Sequence, residues 1–170
     1  SGIIFCLNAS NLELFKQLQR TVESSASFMR GGAMLDLPSE VKVFTDGASR
    51  GNPGPASIGI VFYDSSHSRV GEHCEKLGEQ TNNYAEYMAV IRALELCDQA
   101  GVETAAFYCD SQLLVRQMIG QYKVKAPQII PLYQQAKELC QKLKNTEFHH
   151  VKREQNKEAD ALANQALDSH

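Results

Sequence analysis

The order in which strand-like and helical segments follow one another is the feature that most constrains the fold of this chain. Three segments rich in β-branched and aromatic residues come first, and short turns rich in Gly, Pro, Asp and Ser separate them. These predicted strands cover residues 41–45, 57–63 and 70–77. Because connections this short join antiparallel neighbours, the sequence predicts a three-stranded antiparallel meander.

Helical and strand-like segments alternate through the rest of the chain. The patterns predict helices at 82–100, 111–119, 127–144 and 156–167, and strands at 103–109 and 147–151. We expect Asn82 or Asn83 to cap the first helix, Asp110 or Ser111 to cap the second, and the Asp46-Gly47 pair to end the first strand. The full order predicts an α/β fold with a five-stranded mixed sheet, in which strands 1–3 are antiparallel and strands 1, 4 and 5 are parallel, with helices on both faces.

Residues 1–40 differ from the remainder and predict an N-terminal extension. Ser10 and Glu13 have the spacing of a capping box, and an apolar stripe follows at helical intervals. The stripe consists of Leu12, Phe15, Leu18 and Val22. An amphipathic helix is therefore expected here, and the Gly- and Pro-containing segment 30–38 is typical of a linker. We predict one main domain over residues 41–170, since 170 residues suit a single core.

Composition narrows the class of protein. With 43% hydrophobic and 22% charged residues, the chain can fill a core, and no apolar run approaches the roughly 20 residues of a membrane span. Five scattered cysteines without CxxC spacing argue against a disulfide framework and a zinc knuckle, and favour reduced thiols. We therefore expect a cytoplasmic protein with no membrane partner. A net charge of -3 lacks the global basic surface of a tight nucleic-acid binder, so nucleic-acid binding would need a local patch or metal ions.

Four acidic residues are notable for their positions. Asp46 follows the first predicted strand, Asp110 follows the fourth, Glu86 lies one turn into the first long helix, and Asp160 lies in the first turns of the last helix. The carboxyl ends of neighbouring parallel strands meet at one edge of a sheet, where sites form. Taken singly, Asp46 suits a turn and Asp110 a helix cap. Glu86 and Asp160, however, adjoin apolar helix stripes, where a solvated carboxylate is not expected.

Four such carboxylates suit hard divalent cations. Mg²⁺ takes oxygen ligands and keeps several waters that a phosphate can replace, and Mn²⁺ is a possible substitute. Two ions roughly 4 Å apart can activate a water and stabilise the leaving oxygen of an in-line displacement at phosphorus. The same residues are unsuited to zinc, and no Ser or Cys has a recognisable His partner for nucleophilic catalysis.

Four sequence stretches, in this order, resemble the ribonuclease H type 1 family. They are residues 45–55, 81–86, 110–112 and 153–160, and the resemblance extends over residues 41–167. It implies a ribonuclease H-like fold and an endonuclease that cuts the RNA strand of RNA/DNA hybrids with two metal ions, leaving 5′-phosphate and 3′-hydroxyl ends. The family's metal ligands correspond to the four carboxylates already selected, which are Asp46, Glu86, Asp110 and Asp160.

The resemblance also implies residues that bind the substrate. Residues near the ribose 2′-hydroxyls of the RNA would be Ser49, Gly51, Asn52, Asn82, Glu86 and Gln112. Short polar side chains and backbone groups suit this task, because the 2′-hydroxyl distinguishes RNA from DNA. Thr81 and Asn156 correspond to the family's DNA-phosphate pocket. We further predict that the guanidinium of Arg153 faces a phosphate of the hybrid.

Two features depart from the family pattern. The basic, Trp-containing handle of some members is missing, because the chain has no Trp and residues 119–127 contain only Lys123 and Lys125 as basic residues. A short Arg153-Glu154 segment stands where many members have a His-bearing loop, whereas His149 and His150 fall in a predicted strand. The alternatives are a nuclease of the same fold, such as one that accepts double-stranded RNA or a domain split from a reverse transcriptase, and a module that binds hybrid or double-stranded RNA without turnover.

Overall fold

The computed structural model describes residues 35–169 and contains the predicted five-stranded mixed sheet. The strands are β1 (Glu40–Ser49), β2 (Gly54–Tyr63), β3 (Arg69–Gln80), β4 (Thr104–Cys109) and β5 (Asn145–His150). The helices are α1 (Asn82–Gln99), α2 (Gln112–Met118), α3 (Ile130–Lys142) and α4 (Lys157–Asp168), and a 3₁₀ turn covers Arg153–Gln155. The sheet order is β3-β2-β1-β4-β5, antiparallel among β1, β2 and β3 and parallel among β1, β4 and β5. The predicted fold class is confirmed.

The predicted N-terminal helix lies outside the described residues, as does most of the predicted linker. The domain boundary at residue 40/41 therefore stays a prediction. Just before that boundary, Leu37 is buried against the core, and the carbonyl of Ser39 accepts hydrogen bonds from the backbone N–H groups of Glu103 and Thr104 at 2.8 and 3.0 Å. Residues 35–40 thus already contact the folded domain.

Strand β1 does not end at Asp46-Gly47, and that expectation was wrong. Its parallel pairing with β4 stops at Thr45, opposite Cys109, but its antiparallel pairing with β2 continues as far as Ser49, opposite Ala56. The ladder with β2 supplies the backbone hydrogen bonds that outweigh the local turn preference of Asp-Gly. Asp46 consequently lies in a rigid strand, one residue beyond the end of its parallel neighbour.

Helix caps and starts differ slightly from the sequence expectations. Thr81, rather than Asn82 or Asn83, caps α1 by accepting a hydrogen bond from the N–H of Tyr84 at 3.2 Å. Ser111 caps α2 in the same way, which leaves the carboxylate of Asp110 outside the cap. Helix α3 begins at Ile130 with a proline in its first turn, three residues later than expected from Pro127. A turn occupies residues 127–129 instead.

The helices cover the two faces of the sheet in separate hydrophobic clusters. The larger cluster joins buried residues of α1, α2 and α3 to one face, whereas α4 packs on the other face through Ala159 and Leu162 against Val61. Cys97 and Cys109 are buried free thiols, and burial raises the pKa of each to about 12, so both are unreactive. Within residues 35–169, no helix is long and apolar enough to cross a membrane.

Candidate active site

Three carboxylates from separate elements converge at the end of β1. Asp46 comes from β1, Glu86 from α1, and Asp110 from the residue after β4. One carboxylate oxygen of each lies within 4.8 Å of the others. Asp46 and Glu86 are only 5% and 8% exposed. The sequence-based expectation that neighbouring strand ends bring acidic residues together is therefore met for Asp46 and Asp110, and Glu86 joins them from helix α1.

Gly47 explains how Glu86 reaches Asp46. A Cβ atom at Gly47 would lie 2.7 Å from the carbonyl oxygen of Ala85 and closer still to the backbone nitrogen of Glu86. No side chain other than hydrogen fits there without moving helix α1. The absence of a side chain thus lets α1 approach the sheet until the Gly47 backbone hydrogen-bonds to the Glu86 carboxylate.

A second glycine brings helix α4 close on the opposite face. A Cβ atom at Gly59 would lie 2.7 Å from the backbone nitrogen of Ala163 and would clash with the carbonyl of Ala159. The hydroxyl of Ser57 donates to the Ala163 carbonyl at 2.5 Å and secures the same contact. Asp160 therefore comes within hydrogen-bonding reach of Asp46 and lines the same cleft.

The carboxylates of the acidic cluster hold protons more strongly than free carboxylates do. Burial, followed by the charge of Asp110 and the contact with Asp160, raises the pKa of Asp46 to about 8. Burial and the charges of Asp46 and Asp110 likewise raise the pKa of Glu86 well above its ordinary value. The Arg153 guanidinium opposes both shifts and does not cancel them. Such crowding is costly unless cations compensate it.

The donor atoms fit a hard divalent cation. All are carboxylate oxygens, which Mg²⁺ and Mn²⁺ prefer, and the set lacks the Cys and His ligands typical of zinc. Glu86 Oε2 is buried and has no hydrogen-bond partner among the described residues. A buried, unpartnered carboxylate oxygen carries a large desolvation cost, which a bound cation would remove.

A cleft of about 670 Å³ surrounds the carboxylates and contains part of the predicted substrate-binding set. Ser49, Asn52, Asn82 and Arg153 line it, together with the four acidic residues. Gly51, Thr81, Gln112 and Asn156 lie outside the lining. The cleft therefore brings together four of the eight residues predicted to bind substrate.

Two residues outside the lining have clear local roles. The hydroxyl of Thr81 caps helix α1, as described above. Asn156 is 1% exposed, and its side-chain amide donates to the backbone carbonyl of Thr45 at 2.9 Å, beneath the cleft. Asn156 thus ties the start of α4 to the residue before Asp46, while its Oδ1 finds no partner in the described part of the chain.

The structure also adds cleft residues that the sequence analysis did not select. They include Arg50, Asn83, Ser111, Leu113 and Asn164. Asn164 follows Asp160 by four residues, so helical spacing could have identified it. Arg50 lies within the matching stretch 45–55, but nothing in its local pattern distinguishes it from an ordinary solvated arginine.

Comparisons with known proteins agree with this architecture. Residues 44–166 match a family model described as reverse transcriptase-like. A bifunctional protein of Mycobacterium tuberculosis is 42% identical over 131 residues, which cover 76% of this chain and 36% of that protein. This chain thus spans about a third of that relative. Ribonuclease HI of Halobacterium salinarum is 40% identical over 148 residues, which cover 82% of this chain and 74% of the relative.

Solved structures give the same picture. The crystal structure of RNase H1 from Halobacterium salinarum superposes with a TM-score of 0.74 at 40% identity, covering 76% of this chain and 98% of that one. LC11-RNase H1, crystallised with an RNA/DNA hybrid, gives a TM-score of 0.73 at 41% identity and covers 75% of this chain and 96% of that one. By its sequence and by its fold, this chain belongs to the ribonuclease H type 1 family.

Proposed function

We propose that this chain is a metal-dependent endonuclease that hydrolyses the RNA strand of RNA/DNA hybrids and leaves 5′-phosphate and 3′-hydroxyl ends. The observation that carries the proposal is the convergence of Asp46, Glu86 and Asp110 within 4.8 Å, with a buried Glu86 oxygen that lacks a partner among the described residues. Membership of a family in which one similar protein was crystallised with an RNA/DNA hybrid supports the choice of substrate.

The proposed metal ligands are Asp46, Glu86, Asp110 and Asp160, and the proposed cofactor is a pair of Mg²⁺ ions, for which Mn²⁺ can substitute. Bound there, the ions would supply an activated water and would neutralise charge on the phosphate and the leaving oxygen. The protein's own contribution is to hold the carboxylates rigidly in position. Strand β1 fixes Asp46, and the Gly47 and Gly59 contacts fix the approach of Glu86 and Asp160.

Recognition of RNA is proposed for the loop after β1 and the start of α1. The proposed residues there are Ser49, Gly51, Asn52, Asn82 and Glu86, and Gln112 at the start of α2 completes the set. Two contacts support this assignment because they make the loop rigid. The Ser49 hydroxyl donates to the Gln80 carbonyl at 2.9 Å, and Asn52 Oδ1 accepts from the Asn82 N–H at 3.1 Å. A preorganised polar loop beside the cleft can distinguish a 2′-hydroxyl from hydrogen.

Phosphate binding is proposed for Arg153, Thr81 and Asn156. Arg153 is an exposed cation in the cleft lining, and its charge already acts on Asp46 and Glu86. Thr81 and Asn156 are carried over from the family pattern. The Thr81 hydroxyl caps helix α1, and the Asn156 amide donates to the Thr45 carbonyl. A cytoplasmic location remains part of the proposal.

The deciding experiment is cleavage of an end-labelled RNA/DNA hybrid with and without Mg²⁺. Matched RNA duplex, DNA duplex and single-stranded RNA serve as competing substrates. We expect Mg²⁺-dependent cuts within the RNA strand of the hybrid, with 5′-phosphate ends in the products. Equal cutting of the RNA duplex would favour the alternative nuclease, and tight hybrid binding without any cut would favour the binding module.

Chemical variation of the substrate tests how the RNA is read. A hybrid whose RNA strand carries 2′-deoxy or 2′-O-methyl sugars around the cut should resist cleavage, because the loop would meet hydrogen or methyl groups instead of hydroxyls. Equal cleavage of the modified and unmodified hybrids would show that the 2′-hydroxyl is not read.

A further inference from the structure

Arg50 is a cleft residue whose charge has a partner outside the acidic cluster. It follows β1 directly and lines the cleft. Its guanidinium Nη2 lies 2.6 Å from Oδ1 of Asp168, the last residue of helix α4. The two side chains are 48% and 66% exposed, so water reaches both. An exposed ion pair of this kind contributes only about 0–1 kcal/mol to stability and is easily exchanged for another partner.

The backbone beneath Arg50 is held in place more firmly than its side chain. The Arg50 N–H donates to the Pro55 carbonyl at 2.8 Å, and Ser49 and Asn52 on either side bond to the start of α1 and the residues before it. The guanidinium therefore starts from a fixed point beside the cleft. A single contact to Asp168 uses a small part of its donor capacity, because a guanidinium has five N–H groups.

Asp168 is an unusual residue for its position. The carboxyl end of a helix carries partial negative charge, so an aspartate at the last residue of α4 is unfavourable there unless a cation compensates it. Arg50 supplies that cation. The pair thus has a local electrostatic reason to form when no other anion is near Arg50.

A nucleic-acid backbone would bring such an anion. Among the described residues that line the cleft, the cations are Arg50 and Arg153, and they stand beside four carboxylates. A phosphodiester entering this acidic cleft needs cationic contacts, and the guanidinium geometry matches phosphate in a bidentate way. Arg153 is already assigned to that task, whereas Arg50 has no assigned role.

We propose that Arg50 is a phosphate contact for the bound hybrid and that Asp168 is an internal anion that occupies Arg50 until a phosphodiester replaces it. This inference rests on the proposed function, because it takes the hybrid as the ligand. It makes Asp168 a competitor of substrate, so the two partners of one ion pair have opposite effects on binding. A purely structural ion pair would give effects of the same sign.

Equilibrium binding of a fluorescently labelled RNA/DNA hybrid tests whether Arg50 and Asp168 variants change the affinity in opposite directions. The measurements use the full chain carrying Asp46→Asn, so that the hybrid is not cut, over a series of salt concentrations. Adding Arg50→Ala should weaken binding about five- to tenfold and reduce the slope of log K against log salt by about 1. Arg50→Lys should keep most of that slope, because the charge remains. Asp168→Asn should strengthen binding about two- to threefold.

Arg69→Ala is the matched control. Arg69 forms a similar exposed pair with Glu72, but at the start of β3, at the opposite end of the sheet from the cleft. Its removal should leave affinity and salt slope unchanged. An unchanged affinity in Arg50→Ala would overturn the phosphate contact. Weaker binding in Asp168→Asn, comparable to Arg50→Ala, would overturn the competitor role and indicate mere support of the loop.

Neutral methylphosphonate linkages distinguish the source of the phosphate. They are placed near the cut in the RNA strand of one hybrid and in the DNA strand of another. The effect of Arg50→Ala should disappear in one of these hybrids, because the charged partner is gone. Persistence of the full effect in both would refute a contact in the tested region. The proposed function fails separately, if the wild-type chain cuts no hybrid in Mg²⁺.

Discussion

Helix α1 carries Glu86 near its start and Arg92 near its middle, and these residues belong to two carboxylate clusters of opposite character. Around Arg92, Glu75 receives two 3.0 Å hydrogen bonds from the guanidinium and Glu95 receives one at 2.6 Å. Burial favours a higher pKa for Glu75, but bonds from His73 and Arg92 outweigh it and lower the pKa below its ordinary value. Around Glu86, by contrast, crowded carboxylates raise one another's pKa.

The difference separates carboxylates that the protein neutralises with its own cations from carboxylates that it leaves crowded together. The Glu75 cluster, which consists of Glu75, Arg92 and Glu95, contains its own cation, so its carboxylates are neutralised within the protein. The Asp46 cluster leaves a buried Glu86 oxygen without a partner in the described residues, and its cleft is lined by more carboxylates than cations. That deficit is what a divalent cation would fill.

The largest expected effect is the loss of catalysis on removing one charge from the acidic cluster. Asp46→Asn or Asp110→Asn should lower hybrid cleavage by about 10³-fold or more, because metal placement depends on each ligand. Steady-state cleavage of a labelled hybrid measures this. Asp98→Asn is the control, since Asp98 is an exposed acid near Lys142, away from the cleft. A near wild-type rate in Asp46→Asn would contradict the proposed metal site.

The next effect is a dependence of stability on pH in metal-free buffer. Because the pKa of Asp46 rises from 3.8 to about 8 on folding, the folded chain binds more protons than the unfolded chain between these values. Its contribution to stability is therefore greatest at low pH and falls as the pH rises towards 8. Asp46→Asn lacks this loss and should be more stable at neutral pH, by roughly 1–3 kcal/mol.

Thermal melts in EDTA from pH 5 to pH 8 test the predicted fall in stability with rising pH. The wild-type curve should fall relative to Asp46→Asn as the pH increases, and added Mg²⁺ should raise the wild-type melting temperature more at pH 8 than at pH 5. If the melting temperatures of the two proteins change equally with pH, the pKa of Asp46 is not raised by folding.

Removing a charge from the Glu75–Arg92–Glu95 cluster should lower stability, whereas Asp46→Asn should raise it. Glu75→Gln should destabilise the chain by about 1–2 kcal/mol, because the half-buried Arg92 guanidinium loses its bidentate partner. Hybrid cleavage should persist, since the cluster lies away from the cleft. Chemical denaturation measures the loss, and Glu72→Gln, on the exposed side of the same strand, should change stability by less than about 0.5 kcal/mol.

The smallest expected effect on turnover concerns the two histidines. His149 lies in β5, stacks on Tyr108 at 5.1 Å and is 3.2 Å from Glu147, outside the cleft lining. Single His149→Ala and His150→Ala variants should lose stability more than kcat, and the pH profile of kcat should show no essential group near 6.5. A hundredfold loss of kcat with the fold intact would mean that a histidine contributes to catalysis after all.

The sequence predicted the framework of this site because each main element has a strong periodic pattern. The mixed sheet, the helices on both faces and the meeting of Asp46 with Asp110 follow from strand order and from the rule for parallel strand ends. Glu86 was identifiable because a lone carboxylate on an apolar stripe is costly. Residues 1–34 lie outside the described structure, and the predicted helix there stays a prediction.

The errors occurred where distant contacts decide the local structure. Asp46-Gly47 has the sequence of a turn, but pairing with β2 keeps it extended. Pro127 suggested a helix start, yet α3 begins at Ile130, with the proline at 131 in its first turn. Arg50 was not selected, because its meaning depends on Asp168, which lies 118 residues further along the chain. No local pattern encodes a pairing of that kind.

The close contact at Gly47 controls the distance between the carboxylates of Asp46 and Glu86. The separation between Glu86 and Asp46 depends on how closely the backbone of α1 packs on the backbone of β1. A methyl group at position 47 would push α1 away from the strand. The spacing of two proposed metal ligands therefore depends on a residue whose side chain is only a hydrogen atom. In the proposed metal site, the distance between these two ligands would be set by backbone packing as much as by the ligands themselves.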